Sequence, residues 1–525
     1  MATPKTLKAQ FDTADGARKT VLDRARECAE LTLPSVLPRE NTTQDNDLVR
    51  PYQSLGAYGS TNLTNKLLLT QYPVGVPWFQ SVPSARLRAD GTFSQEAMDK
   101  FLAILYMRDL IVRDQLESSR LRISQRTAFE QIVILGNTLS VMNDDYSIKV
   151  FRLDQYVQKR ANSGKWLWVI THEKLDPAEV TEDMLAKLGK TQEEIDAKTE
   201  GLDLYTKCTR HANGSTTIVQ ELEGVEIGRS EEPVSRFFPA GYVELPGENY
   251  SRGFIEERLG SLRSYNGLTK AILDGAVICS KFLIGIDTDR QTSLNPSDFA
   301  KASGSVIAGI RVIDGKWDGV GLLQAEKNAD MAVAFQAASE IGKELSSQML
   351  VESAVQPEGE RVTAYQVNRI ARELEGATGG VTTHISEDMQ APIVKYTMWK
   401  MDKENKLPPL PEVLKKEINV ELLTGLEAMS RQRDLEKLQT IMQIIAVDPE
   451  LLKRWRPEWI NNIIVRGMGV DPTQALKTEE KLEEENAKLM EMQMQMQAAQ
   501  VGLQTAGKVV ENASKPQATR QGGGM

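Results

Sequence analysis

The sequence predicts a mixed α/β protein, mainly helical, and three observations carry that prediction. A chain of 525 residues is too long for one simple core, and its 41% hydrophobic and 26% charged residues are those of a globular protein. Runs rich in β-branched and aromatic residues cluster between positions 138 and 222. Two long stripes of apolar residues at helical spacing flank a stretch rich in Gly, Asp and Ser.

Taken in order, residues 6–31 read as one charged helix, closed by Pro34 and Pro38. A second helix covers 52–71, with Leu55, Leu63, Leu67 and Leu68 on one face, and Pro73 and Pro77 end it. A long helical zone spans 94–135 until Gly136-Asn137 punctuates the chain. Strands are expected at 138–142, 149–153, 166–170 and 216–222, and a polar helical insertion at 177–199. The first stripe is Ile255, Leu259, Leu262, Tyr265, Leu268, Ile272 and Ala276; the second is Met331, Phe335, Ala338, Ile341, Leu345 and Met349. Between them, 282–321 reads as a compact β module with pieces at 306–307 and 311–313. Pro357 and Gly359 break the chain at 352–361. Thr363 is placed to cap a long helix to about Asn405, with Gly376, Gly379, Gly380 and Pro392 as points of bending. A strand at 418–423 and a helical stretch at 431–466 follow, then an acidic, Met-Gln-rich tail from 478, expected to be a solvated helix fading into disorder.

Chemistry is scarce. Three scattered cysteines, Cys28, Cys208 and Cys279, fit small buried residues in a reducing compartment. Leu188-Gly189-Lys190-Thr191 has the end of a phosphate loop, but Met184 stands where its first Gly belongs, so a turn with Gly189 closing a helix is expected. His172-Glu173 opens a zinc-protease pattern that Asp176 fails to complete, and the three histidines are far apart in sequence. No catalytic residue, metal site or cofactor is assigned. The most apolar run, 275–286, is too short to span a bilayer, so no membrane partner is expected. A formal charge of −10 argues against tight non-specific DNA binding, though not against a smooth duct.

Several segments resemble the portal, or head-to-tail connector, proteins of short-tailed bacteriophages of the autographivirus type. They include Cys28-Ala29 with Leu31-Thr32-Leu33-Pro34-Ser35-Val36-Leu37-Pro38, and Tyr52-Gln53-Ser54-Leu55-Gly56-Ala57 with Asn62-Leu63 and Lys66-Leu67. Glu248-Asn249-Tyr250-Ser251-Arg252-Gly253 with Ile255-Glu256-Glu257 also matches, as does Ser353-Ala354-Val355-Gln356 with Gly359-Glu360-Arg361-Val362-Thr363-Ala364. Thr424-Gly425-Leu426-Glu427-Ala428 with Asp434-Leu435-Glu436-Lys437-Leu438 extends the likeness late into the chain; the insertion at 177–199 and the tail lie outside it.

The resemblance implies the phage portal fold in a cyclic homo-oligomeric ring, expected to be a dodecamer. Its regions are a wing at 1–252, stem helices at 253–280 and 323–350 around a clip at 281–322, and a tunnel loop at 351–363. A long helix returns to the wing at 364–429, followed by a helical crown at 430–477 and a flexible tail at 478–525. The stripes agree with this, since long apolar stripes on a thin stalk need neighbours to bury them. The implied function is a structural DNA channel at the head-tail vertex for genome packaging, retention and ejection. Implied partners are double-stranded DNA, terminase, scaffold and major capsid protein, tail adaptors and internal core proteins; the location is the virion, after assembly in the host cytoplasm. The tunnel-loop candidates are Gln356, Glu358, Glu360 and Arg361, with Arg361 meeting phosphates. The clip candidates for docking or DNA are Arg290, Lys301, Arg311 and Lys316, although nearby acids balance their charge. The alternatives are a monomeric head-completion adaptor or a packaging nuclease or ATPase subunit.

Overall fold

The computed structural model of the chain describes residues 6–40, 42, 46–73, 77–89, 95–196, 201–280, 283–286, 312–313, 316–317, 320–323, 328–351, 376, 380–415 and 417–423. Two compact units are distinguished, Met1–Ser94 with Met107–Ser430, and Gln95–Tyr106 with Arg431–Met525.

The expected first helix is two, α1 (Leu7–Ala17) and α2 (Lys19–Glu30). The break at Arg18 has a physical reason. The α1 face carrying Leu7 and Phe11 packs on Val157, Ile170 and Tyr205, whereas the α2 face carrying Leu22, Ala25, Cys28 and Ala29 belongs to the main core. One straight axis cannot serve both. Arg18 turns inward at the joint, its Nη1 donating to the Leu153 carbonyl at 2.5 Å and its Nε to Asp15 Oδ1 at 2.8 Å. The start is satisfied twice: Thr6 Oγ1 accepts from the Ala9 amide at 3.3 Å, and the Glu221 carboxylate accepts from the Leu7 amide at 2.7 Å.

Helix α3 (Leu55–Gln71) forms as expected and is followed by strand β1 (Phe79–Pro83) and the short α4 (Ala85–Ala89). The long zone expected at 94–135 is interrupted. Helix α5 (Gln95–Ser118) ends, Arg120 takes a left-handed φ of 58°, and α6 (Leu121–Leu135) begins. Of the second unit the described part is residues 95–106, the first half of α5. Gly136 closes α6 at φ 77°, and a Cβ there would stand 2.5 Å from the Gly253 amide nitrogen, so only glycine fits.

The strands follow: β2 (Asn137–Met142), β3 (Ile148–Phe151), β4 (Tyr156–Arg160) and β5 (Trp166–Leu175). Helices α7 (Glu182–Leu188) and α8 (Gln192–Asp196) form the polar insertion, with Gly189 at φ 64° closing α7 as the turn reading requires. Strands β6 (Leu202–Arg210), β7 (Thr216–Leu222), β8 (Val225–Glu232) and β9 (Phe237–Gly241) complete the region. Order β4-β5-β6-β7-β8 makes an antiparallel sheet, and β3-β2-β9 a second one. The insertion closes a small core of its own, where Val180 and Ile195 meet Leu202, Leu204, Leu222 and Ile227.

Next come α9 (Phe254–Glu257), α10 (Leu259–Ser280), β10 (Leu283–Ile286), β11 (Val312–Ile313), β12 (Lys316–Trp317), β13 (Val320–Leu323) and α11 (Asn328–Gln348). The piece expected at 306–307 lies outside the described residues. Of the long helix expected from Thr363, the part before 376 likewise does. Within the described part Gly380, at φ 91°, starts α12 (Val381–Ile385), which runs through a π turn at Ser386–Gln390 into α13 (Ala391–Lys403). Pro392 has no N–H to return to the previous turn, and the π turn immediately before it is the adjustment that lets the helix continue. Helix α14 (Glu412–Lys415) and β14 (Ile418–Leu422) end the described chain, and β14 pairs antiparallel with β1. The helical stretch at 431–466 and the tail lie outside the described residues.

Candidate functional site

The arrangement that distinguishes this chain is a long hairpin made of α10, β10, β13 and α11. One antiparallel register runs through it. Arg258 Nε, just before α10, donates to Gln348 Oε1 at 2.8 Å at the root. Tyr265 faces Gly342 and Met331 faces Gly275 further out. Leu283 then pairs with Leu323 and Ile286 with Val320, so the strands extend the helical arms without a shift. Val312 and Ile313 form a separate short hairpin with Trp317 and Lys316.

Burial decays along the arms. At the root, Leu259, Leu262, Leu345 and Met349 join the main core. In the middle, Tyr265 and Ile341 are half-buried, and Ala276 towards the tip is exposed. The second apolar stripe needs one correction: Phe335 does not face α10 but is 66% exposed. The Met331, Ala338, Leu345 face packs inward, and Phe335 lies around the helix from it. Val333 at 69%, Leu273 at 49% and Val277 at 55% are exposed apolar residues on the same arms.

The root is tied to α2 and α3. Arg263 pairs with Glu27 through two charge-assisted hydrogen bonds, and Arg24 with Glu256 at 3.3 Å. Asn266 Oδ1 accepts from the Tyr52 amide at 2.8 Å, and Lys270 sits 5.2 Å from the Tyr52 ring centre. On the other arm, Asn62 Nδ2 donates to the Met349 and Leu350 carbonyls at 3.0 and 2.9 Å, and Lys66 Nζ to the Leu350 carbonyl at 3.0 Å. The roles of Asn62 and Lys66 were not read from the sequence. The available signal was two polar residues one helical turn apart among the leucines of α3.

The tunnel-loop candidates Gln356, Glu358, Glu360 and Arg361 and the clip candidates Arg290, Lys301 and Arg311 lie outside the described residues. Lys316 stands in β12 opposite Ile313.

His172 Nε2 is 2.9 Å from Asp203 Oδ1, and its ring stacks on Tyr205 with centres 4.6 Å apart. Cys28 and Cys208 are buried as expected, and desolvation pushes both thiols up to about 12, away from nucleophilic thiolates. Among the described residues no group of three or more His, Cys, Asp or Glu is placed to hold a metal, and no helix is long and apolar enough to cross a membrane.

The family model described as bacteriophage head to tail connecting protein matches residues 4–476. The chain is similar to the portal protein of Enterobacteria phage T3, with 29% identity over 522 residues, 95% of this chain and 92% of that one. It is 29% identical to the portal protein of Escherichia phage T7 over 534 residues, covering 98% and 94%. The portal protein of Pseudomonas phage phiKMV is 23% identical over 513 residues, covering 94% and 96%. Among solved structures, the virion of a native gene transfer agent particle aligns with 73% of this chain and 89% of its own, at 12% identity and a TM-score of 0.33, too slight a likeness to speak for the fold.

Proposed function

This chain belongs to the bacteriophage head-to-tail connecting protein family, and we propose that it acts as a portal: a ring of identical subunits at the head-tail vertex, with the genome passing along the axis. The observation that carries the ring is the hairpin. Its arms form a stalk whose burial fades outward while Leu273, Val277, Val333 and Phe335 stand exposed. Equivalent arms of neighbouring subunits are the partners of the right chemistry, because a heterologous contact that closes into a ring covers every such face at once.

In this reading the α10–α11 arms are the stem and the β10–β13 strands begin the clip. The chain leaving α11 carries the tunnel loop with Gln356, Glu358, Glu360 and Arg361. A ring repeats each of these around the axis, so one arginine per subunit becomes a belt of positive charge facing phosphate. The acidic remainder of the chain, net −10 overall, keeps DNA from adhering along the duct. Arg290, Lys301, Arg311 and Lys316 lie in the clip, where terminase during packaging, and tail adaptors afterwards, would dock. Scaffold, capsid and internal core proteins complete the set of partners. The ring does no chemistry of its own: nucleotide hydrolysis belongs to the motor docked on it.

The test is to place charge on the arms. Phe335→Glu with Val277→Glu is expected to leave the chain folded, with a parental circular-dichroism spectrum, but unable to close into rings. A doubly substituted chain that still forms rings at micromolar concentration would show that the arms are not the subunit interface.

A further inference from the structure

Helix α11 ends in an unusual way. Leu350 adopts a left-handed φ of 54°, a conformation normally left to glycine at a helix C-terminus. The Val351 amide returns to the Ser346 carbonyl at 2.9 Å, and the Leu350 amide to the Ser347 carbonyl at 3.1 Å, the nested pair of bonds of a left-handed helix cap. Carbonyls at a helix end point outward without partners. Here those of Met349 and Leu350 are taken by α3: both by Asn62 Nδ2, at 3.0 and 2.9 Å, and the second also by Lys66 Nζ, at 3.0 Å. The Lys66 side chain is 3% exposed, so its ammonium lies inside the protein at the negative end of the α11 dipole. Gly59, one turn before, lets the two helices meet: a Cβ there would stand 2.0 Å from Met349 Sδ. Three successive positions on one face of α3, 59, 62 and 66, therefore act on the same two residues.

We propose that Asn62 and Lys66 are positioning residues that fix the point and direction in which the chain leaves the second arm, and thereby aim the DNA-facing segment that follows Val351. The proposal rests on the portal reading for what that segment meets, but the clamp itself stands on the described contacts. A left-handed leucine carries a local strain cost of about 1–2 kcal/mol, set against the packing of its half-buried side chain on the main core. Two donors on its carbonyl hold the peptide in that orientation. Releasing them lets the last turn of α11 relax, and the exit vector of the chain changes while Leu345 and the rest of the root stay packed.

The experiment uses the full chain in assembled rings and in phage. The variants are Asn62→Leu with Lys66→Met, and Lys66→Arg alone as the conservative change. Amide exchange at Leu350 and Val351 is expected to speed up at least about tenfold in the double variant, the effect of losing buried hydrogen bonds that include a charged donor. Rings keep the parental subunit number, and the fraction of particles retaining a full-length genome falls several-fold. Lys66→Arg, which can still reach the carbonyl, keeps retention at the parental level. Unchanged exchange in the double variant overturns the clamp; faster exchange with parental retention overturns its positioning role. Should the double variant fail to assemble, Asn62→Ala alone is read by the same two measurements and the same criteria. A third arm separates the proposal from the reading beneath it. If deletion of residues 352–361 leaves retention at the parental level, the portal reading of that segment fails, whereas faster exchange in the double variant still upholds the clamp.

Discussion

Gly342 on α11 lies under the ring of Tyr265 on α10, where a Cβ would stand 3.1 Å from Cε2. The ring of Tyr265 fits against α11 because Gly342 has no side chain at that level. Gly342→Ala gains about 1 kcal/mol of helix propensity, which offsets the small shift demanded of a flexible ring. Gly342→Leu overpacks the contact and is expected to cost about 1–3 kcal/mol. Thermal melting of the full chain checks this: the Ala variant should melt near the parent and the Leu variant several degrees lower. Equal melting of all three contradicts the close packing of the arms.

Arg108 is a second fixed point, 4% exposed, its Nη2 on Asp402 Oδ2 at 2.5 Å and its Nη1 on the Pro408 carbonyl at 2.7 Å. It ties α5 to the chain that leaves α13. Removing one partner of a buried pair strands the other, so Arg108→Ala should destabilise by about 3 kcal/mol. Asp402→Asn, which keeps an acceptor, should cost less. If Arg108→Ala melts with the parent, the pair does not hold these elements.

Asp109 gives a pH dependence. Burial is the largest influence and pushes its carboxyl up to about 6 from 3.8, against the lowering effect of Ser81, Arg113 and Arg108. Ser81 donates to it from both its amide, at 2.7 Å, and its hydroxyl, at 2.6 Å. A folded-state value above the unfolded one means that the folded chain holds the proton more tightly. The resulting stability is full below about pH 4 and is lost as pH rises towards 6. Asp109→Asn should remove this slope. Melting temperatures from pH 4 to 7 check it: the parent's advantage over the variant should shrink as pH rises, and a constant difference would rule the carboxyl out as its source.

Arg361 is the proposed phosphate contact. In Arg361→Ala phage, rings should assemble as in the parent while packaged genomes leak or packaging falls. Mutant particles that package and keep full-length DNA as well as the parent would sink this role.

Much of the hairpin was legible in the sequence because its helices carry their own periodicity. The steps of three and four from Ile255 to Ala276 place both α9 and α10, although the structure breaks the expected single helix at Arg258. Phe335 escaped because a large apolar residue one turn from Met331 fits a stripe on paper, and only the facing helix decides which edge is covered. Strand β1 was missed because Phe79–Pro83 is short, ends in proline and finds its partner only at Ile418–Leu422. Strand β6 was different: Leu202, Leu204, Thr206 and Cys208 alternate plainly and were passed over. The breaks at Arg18 and Arg120 have no local breaker at the residue itself, since tertiary packing on two different surfaces decides the first. The clamp of Asn62 and Lys66 on Leu350 was hidden because it joins residues 288 and 284 positions apart, and two polar residues one turn apart on α3 do not say what they meet.

A portal of this chain must close into a ring through its paired arms. The most direct measurement is electron microscopy of the purified full-length protein viewed end-on, with sedimentation of the same sample. The images should show closed rings of identical subunits around an open axis, with the α10–α11 arms side by side and their exposed Leu273, Val277, Val333 and Phe335 covered by neighbours. A stable monomer at micromolar concentration, with no rings in the images, would contradict it.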